Sequence, residues 1–122
     1  MKSRWEIHKG VRFFYFDVSN FGLDDKGVFL EMDEADAVIM AEPLDSVLIL
    51  NDIRNSAGSM EVLKHLQTSA DRTTSFIAKA AVVGAEGSKQ VLLQVINRFT
   101  KHPIIPFDDV EKAKDWLVSD KI

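Results

Sequence analysis

The chain has 122 residues, 46% hydrophobic and 28% charged, with a formal net charge of -4 and no cysteine. These values fit one globular domain with one core, and they exclude a disordered chain, disulfides, thiolate metal sites and cysteine nucleophiles. A weakly acidic chain is also a poor match to sequence-independent nucleic-acid binding, which rests on Lys and Arg neutralising phosphates.

The opening Met1-Lys2-Ser3-Arg4 is basic but runs into no apolar stretch, so no signal peptide is expected. No apolar run approaches the roughly 20 residues that span a bilayer. Together with the missing cysteine, this suits a cytoplasmic chain.

Trp5-Glu6-Ile7-His8 alternates and predicts a short strand, with Lys9-Gly10 as the turn. Residues 11–18 follow, with Phe13, Phe14, Tyr15 and Phe16 in a row, which fits a strand covered on both faces and paired antiparallel with the first. Residues 24–41 read as a helix. Val28, Met32, Ala35 and Ile39 form its stripe, Phe29 and Met40 widen it, Asp24 and Asp25 favour its positive end, and Pro43 stops it.

Residues 46–52 contain Val47-Leu48-Ile49-Leu50, a buried central strand. A second helix starts near Met60 with Ser59 as its N-cap and Val62, Leu63 and Leu66 facing inward; Thr73-Thr74-Ser75 ends it. Ala80-Ala81-Val82-Val83 predicts another strand, closed by Gly84. A third helix covers residues 88–99, with Val91, Leu92, Val95, Ile96 and Phe99 inward. Ile104-Ile105 is a last strand, which Pro106 shortens and pushes to a sheet edge. The final helix begins at Asp108 or Asp109. Asp108 with Glu111 resembles a capping box, and Val110, Ala113, Trp116 and Leu117 face inward.

The order is β-β-α-β-α-β-α-β-α. It predicts an α/β domain over residues 1–122, with a single mixed, mainly parallel sheet and helices on its faces. No internal repeat or linker marks a second domain.

Charge is unevenly spread. Residues 24–42 hold seven acids against Lys26, and residues 54–102 hold seven bases against Glu61, Asp71 and Glu86. Solvated faces on different helices account for this. A dipolar surface that self-associates or steers a charged partner is the sharper alternative.

The first candidate site is the loop 52–59, after the central strand and before a helix, where α/β folds tend to place binding groups. Asp52 and Arg54 could contact a partner, and Ser56 and Ser59 could accept a phosphate near free helix N–H groups. The simpler reading makes Ser59 a cap, Asp52 a group that orients the loop, and Arg54 a solvated side chain. Gly84-Ala85-Glu86-Gly87-Ser88 is a second strand-to-helix loop. Gly84, Gly87 and Ser88 could hold an anion there, but the loop matches neither the Walker pattern nor the dinucleotide fingerprint. His8, His65 and His102 fall in separate elements without metal-ligand spacing, and the Glu61–His65 pair fits a surface contact on one helix. No Gly-x-Ser-x-Gly elbow is present. No catalytic residue, metal or cofactor is expected.

The stretches Phe14-Tyr15-Phe16-Asp17-Val18-Ser19-Asn20, Ser46-Val47-Leu48-Ile49-Leu50-Asn51-Asp52-Ile53-Arg54-Asn55, Ala80-Ala81-Val82-Val83-Gly84 and Phe107-Asp108-Asp109-Val110-Glu111-Lys112-Ala113-Lys114-Asp115-Trp116-Leu117 carry a resemblance. In their order and spacing the chain resembles the small bacterial STAS-like proteins, related in fold to anti-sigma-factor antagonists and to lipid-binding CRAL-TRIO domains. The resemblance covers nearly the whole chain through core and capping patterns, so it speaks to fold more than to activity. It implies a small regulatory or protein-interaction module without catalytic activity, acting through a protein partner or by self-association. The antagonists carry an Asp-Ser-Ser-Gly element after the central strand, with one serine phosphorylated. Here Ile53-Arg54-Asn55-Ser56-Ala57-Gly58-Ser59 stands instead, so no phosphorylation site is carried over. The CRAL-TRIO relation implies the alternative, a carrier of a small apolar ligand. Core packing of the aromatic run is the simpler reading, since a chain of this length has little material for a large cavity.

Overall fold

Lys9 and Gly10 both take positive φ, 51° and 80°. Such a two-residue turn matches the right-handed twist of antiparallel strands, and it sets the pairing of His8 with Val11. The hairpin joins β1 (Arg4–His8) to β2 (Val11–Asp17). In this computed structural model, which describes residues 1–119, the chain continues through α1 (Asp25–Met40), β3 (Val47–Asp52), α2 (Met60–Thr73), a short 3-10 turn (Thr74–Phe76), β4 (Ile77–Val83), α3 (Lys89–Ile96), β5 (Ile104–Phe107) and α4 (Val110–Val118).

Among the described residues five strands form one sheet in the order β1-β2-β3-β4-β5, with the β1–β2 pair antiparallel and the others parallel. The expected mixed, mainly parallel α/β sheet is therefore observed. Successive parallel strands step across it in one direction, so right-handed crossovers put the connecting helices on one face. Phe14, Phe16, Val18, Ile49 and Ala80 of that face pack against Val28, Met32, Ala35 and Ile39 of α1 and Val62 of α2. On the other face α4 lays Ala113 and Leu117 on Phe13, Tyr15, Leu50, Ala81 and Val83. The aromatic run of β2 supplies both cores, because consecutive residues of a strand point to opposite faces. A sheet in sequential order has no reversal, so the crevice of a doubly wound fold is missing and the C-terminal strand ends form an open rim.

Local departures from the sequence reading have local causes. The strand expected at Ala80 begins at Ile77, where it pairs with Val47 as soon as the 3-10 turn releases the chain. Helix α3 ends at Ile96 rather than near Phe99. Just beyond it, the Asn97 side chain accepts from the Ile104 N–H at 2.9 Å and donates to the Ile104 carbonyl at 3.3 Å, fastening the helix end to β5. Val91 and Phe99, expected to face inward, are exposed; Ile96 is the buried residue of α3. Met40 is exposed as well, at the last turn of α1.

The cap of α4 is Asp109, which accepts from the Lys112 N–H at 3.1 Å; Asp108 with Glu111 does not form the expected box. Pairing of β5 through Phe107 leaves Asp108 to make the turn before the helix. Pro106 lies within β5 opposite Val82 on the sheet edge, where its missing N–H costs no ladder bond.

Helices α1 and α2 pack side by side, and the uneven charge resolves along their seam. Arg72 donates to Asp36 at 2.8 Å, and Ser69 donates to the same buried carboxylate at 2.7 Å. His65 meets Asp33 at 2.8 Å and stacks on Phe29 with ring centroids 4.5 Å apart, instead of pairing with Glu61. Part of the acidic stretch thus faces part of the basic stretch inside the molecule.

Candidate functional site

The rim is built where the backbone ladder runs on past the strands. Val18 N–H donates to the Asp52 carbonyl at 3.1 Å, Asn20 N–H to Arg54 at 2.8 Å, and Gly22 N–H to Asn55 at 2.9 Å. Ala57 N–H returns to Gly22 at 2.8 Å, and the Asn55 amide donates to the Asn20 side chain at 2.8 Å. The loops after β2 and β3 are therefore stitched into one unit, tied to β4 by Ile53 N–H on the Val83 carbonyl at 3.0 Å.

Asp52 lies under this unit with 1% of its surface exposed. It accepts Arg54 Nε at 2.9 Å and Nη2 at 2.7 Å, the Arg54 backbone N–H at 3.2 Å and the Tyr15 hydroxyl at 2.7 Å. Burial alone would raise the Asp52 carboxyl, but the hydrogen bonds from Arg54 and Tyr15 outweigh it and hold the group below its ordinary value. Tyr15 is pushed well above the ordinary phenol value, first by burial and then by its bond to Asp52. Arg54, raised mainly by its bond to Asp52, keeps half of its side chain in solvent.

Of the other residues singled out from the sequence, Ser56 is buried and donates to the Ile53 carbonyl at 2.8 Å. Ser59 caps α2 by accepting the Val62 N–H at 3.1 Å, and its hydroxyl donates to Asp25 at 2.8 Å. Arg54 is thus the member of the 52–59 set that reaches solvent most freely. Gly84, at φ +99°, lies against the Arg54 backbone; a Cβ there would come within 2.7 Å of the Arg54 nitrogen. Gly87 has open space around it, and Ser88 makes no capping hydrogen bond. The 84–88 loop therefore presses on the 52–59 loop through Gly84.

Asp17 was not singled out from the sequence. It stands beside Asp52 in the β2–β3 register and accepts Arg4 at 2.9 Å, the Ser19 hydroxyl at 2.6 Å and the Ser19 N–H at 3.0 Å. Burial works to raise it, but the bonds from Ser19 and Arg4 prevail and lower it. The available signal was that both strands end in an aspartate on the same alternation as their inward residues. Asp17 and Asp52 are thus held ionised and Tyr15 protonated, each saturated with partners, which opposes proton transfer.

On the opposite face, two adjoining cavities of about 80 and 100 Å³ lie between the sheet and the helices. They share Phe16, Met32, Asn51, Leu66, Ile96 and Ile104 as walls. The larger one continues beneath Ser56, Ala57 and Gly58 of the rim and reaches Leu92 and Lys89 of α3. The aromatic run is mostly core, with only Phe16 lining these spaces. Among the described residues no group of three or more His, Asp or Glu could hold a metal ion. No helix among the described residues is long and apolar enough to cross a membrane. Comparison of the chain with protein-family models, with curated proteins and with solved structures finds no match.

Proposed function

We propose that this protein is a small regulatory binding module that works without catalysis. In this reading a small apolar ligand enters between the sheet and α3, and a protein partner, or a second copy of the chain, reads the rim above it. The observation that carries the reading is the position of the larger cavity, directly beneath 56–58 of the stitched loop. An occupant there presses on the same backbone that presents Arg54 and Asn55 to solvent.

The rim suits protein contact because Leu23 and Met60 flank it with 88% and 66% of their surfaces exposed. Both sit at helix starts joined by the Ser59–Asp25 hydrogen bond, so they stand on a stiff support. Large apolar side chains on a rigid surface are the usual anchors of a protein interface. The STAS-like resemblance supports partner-dependent regulation, and its CRAL-TRIO relation supports the apolar ligand.

Native mass spectrometry of the purified protein, with thermal unfolding in the presence of small alcohols and hydrocarbons, tests the reading. It expects a co-purifying small molecule or a saturable rise in unfolding temperature. A clean unliganded mass together with no thermal shift from any compound overturns it.

A further inference from the structure

Among the described residues, the larger cavity is lined by one charged group. Lys89, the first residue of α3, lines it and is half-buried. Its Nζ donates to the Ile53 carbonyl at 2.8 Å, an oxygen that also accepts the Ser56 hydroxyl at 2.8 Å. A lysine ammonium has three donors. Among the described residues, Lys89 spends one on this carbonyl and has no carboxylate partner. Among the described residues no Asp or Glu lines the larger cavity, and most of its walls are apolar: Phe16, Val28, Met32, Val62, Leu92 and Ile96 among them.

We infer that the ligand of this cavity is a small apolar monocarboxylic acid, with its hydrocarbon part between Met32, Leu66 and Ile96 and its carboxylate on Lys89. The inference rests on the proposed ligand-binding reading and names the chemistry of the ligand. An apolar chamber with a single cation at the mouth complements an apolar body carrying one negative charge. One ammonium suits a monoanion. A phosphate dianion would meet few donors there, since one of the three on Lys89 is already spent. The size of the chamber, about 100 Å³, favours a short or branched chain; an apolar cavity of about 150 Å³ accepts benzene.

The test is a titration of isotope-labelled protein, followed by backbone amide and methyl NMR shifts. The probes are butyrate, isovalerate and hexanoate, each beside its alcohol (butanol, isoamyl alcohol, hexanol), at fixed ionic strength. The expected result is that the best-fitting carboxylate binds about tenfold tighter than its alcohol, the usual size of a charge-assisted hydrogen bond. Its binding moves the signals of Lys89, Leu92 and Ile96. Lys89→Met removes the advantage of the acid while the alcohol still binds saturably, which also shows that the variant is folded. Lys89→Arg retains most of the advantage. An alcohol that binds as tightly as its acid to the unaltered protein, or an advantage that survives Lys89→Met, overturns the carboxylate assignment and leaves the cavity reading in place. No saturable shift with any probe overturns both.

Discussion

Asp17 and Asp52 stand opposite each other at the ends of β2 and β3, both buried, each ion-paired with its own arginine. Parallel pairing brings the two aspartates together on the α4 face, and Arg4 and Arg54 offset the repulsion that two buried carboxylates would otherwise feel. The pair marks where the strands end and the rim begins, so its energetics govern how firmly the rim is held.

Both carboxyls are lowered in the fold, so the sign of their pH dependence follows. Their contribution is fully present above the ordinary aspartate value of 3.8 and is lost as pH falls below it through the lowered native values. Asp52→Asn should cost about 1–2 kcal/mol near neutral pH, discounted because Arg54 stays half in water. Urea unfolding across an acid pH series checks this, with a shallower loss of stability expected in the variant. An unchanged acid profile would show that the pair contributes nothing.

Tyr15 is the one tyrosine in the chain, so phenolate absorbance reports it alone. Its value is raised by burial and by Asp52, so its share of stability is present below the ordinary value of 10.0 and is lost as pH rises above it. The phenolate band should appear only as the protein unfolds in alkali. Tyr15→Phe should cost about 1 kcal/mol, from the lost bond to Asp52. Phenolate forming in the folded protein near the ordinary value would contradict the burial.

Two glycines of one loop should respond differently to alanine. Gly84→Ala places a Cβ within 2.7 Å of the Arg54 backbone nitrogen at φ +99°, and should cost more than about 2 kcal/mol while loosening the 52–59 loop. Gly87→Ala, at φ +58° with open space around it, should cost about 1 kcal/mol. Equal midpoints in denaturant for the two variants would remove the close approach as the reason for Gly84.

Much of the fold was legible because each core element carries its own periodicity. The aromatic run of β2 announced a strand covered on both faces, and the stripe of α1 announced its inner side. The capping role of Ser59 was legible because a serine before an amphipathic run is a local signal. The end of α3 was not, since it turns on Asn97 meeting Ile104 across space. Nor was the Asp17–Asp52 pair, which depends on the register between strands joined through a helix. Sequence patterns show which residues face inward, not how much room they leave, so the larger cavity under Ser56 and Ala57 had no signal.

Ala57 lines the larger cavity from the rim side. Ala57→Val should fill part of it, raise stability by up to about 1 kcal/mol and weaken ligand uptake. Thermal unfolding with and without isoamyl alcohol measures both effects. A variant that still gains the same thermal shift from the alcohol would place the binding elsewhere.

The most direct measurement is an NMR titration of the unaltered protein with isoamyl alcohol, an uncharged probe that isolates the apolar chamber. The account predicts saturable movement of the Leu66, Leu92 and Ile96 methyl signals together with the Ala57 and Gly58 amides, so that chamber and rim respond as one. Shifts confined to exposed Leu23, Met60 or Val91, with the chamber and the 56–58 loop silent, would contradict it.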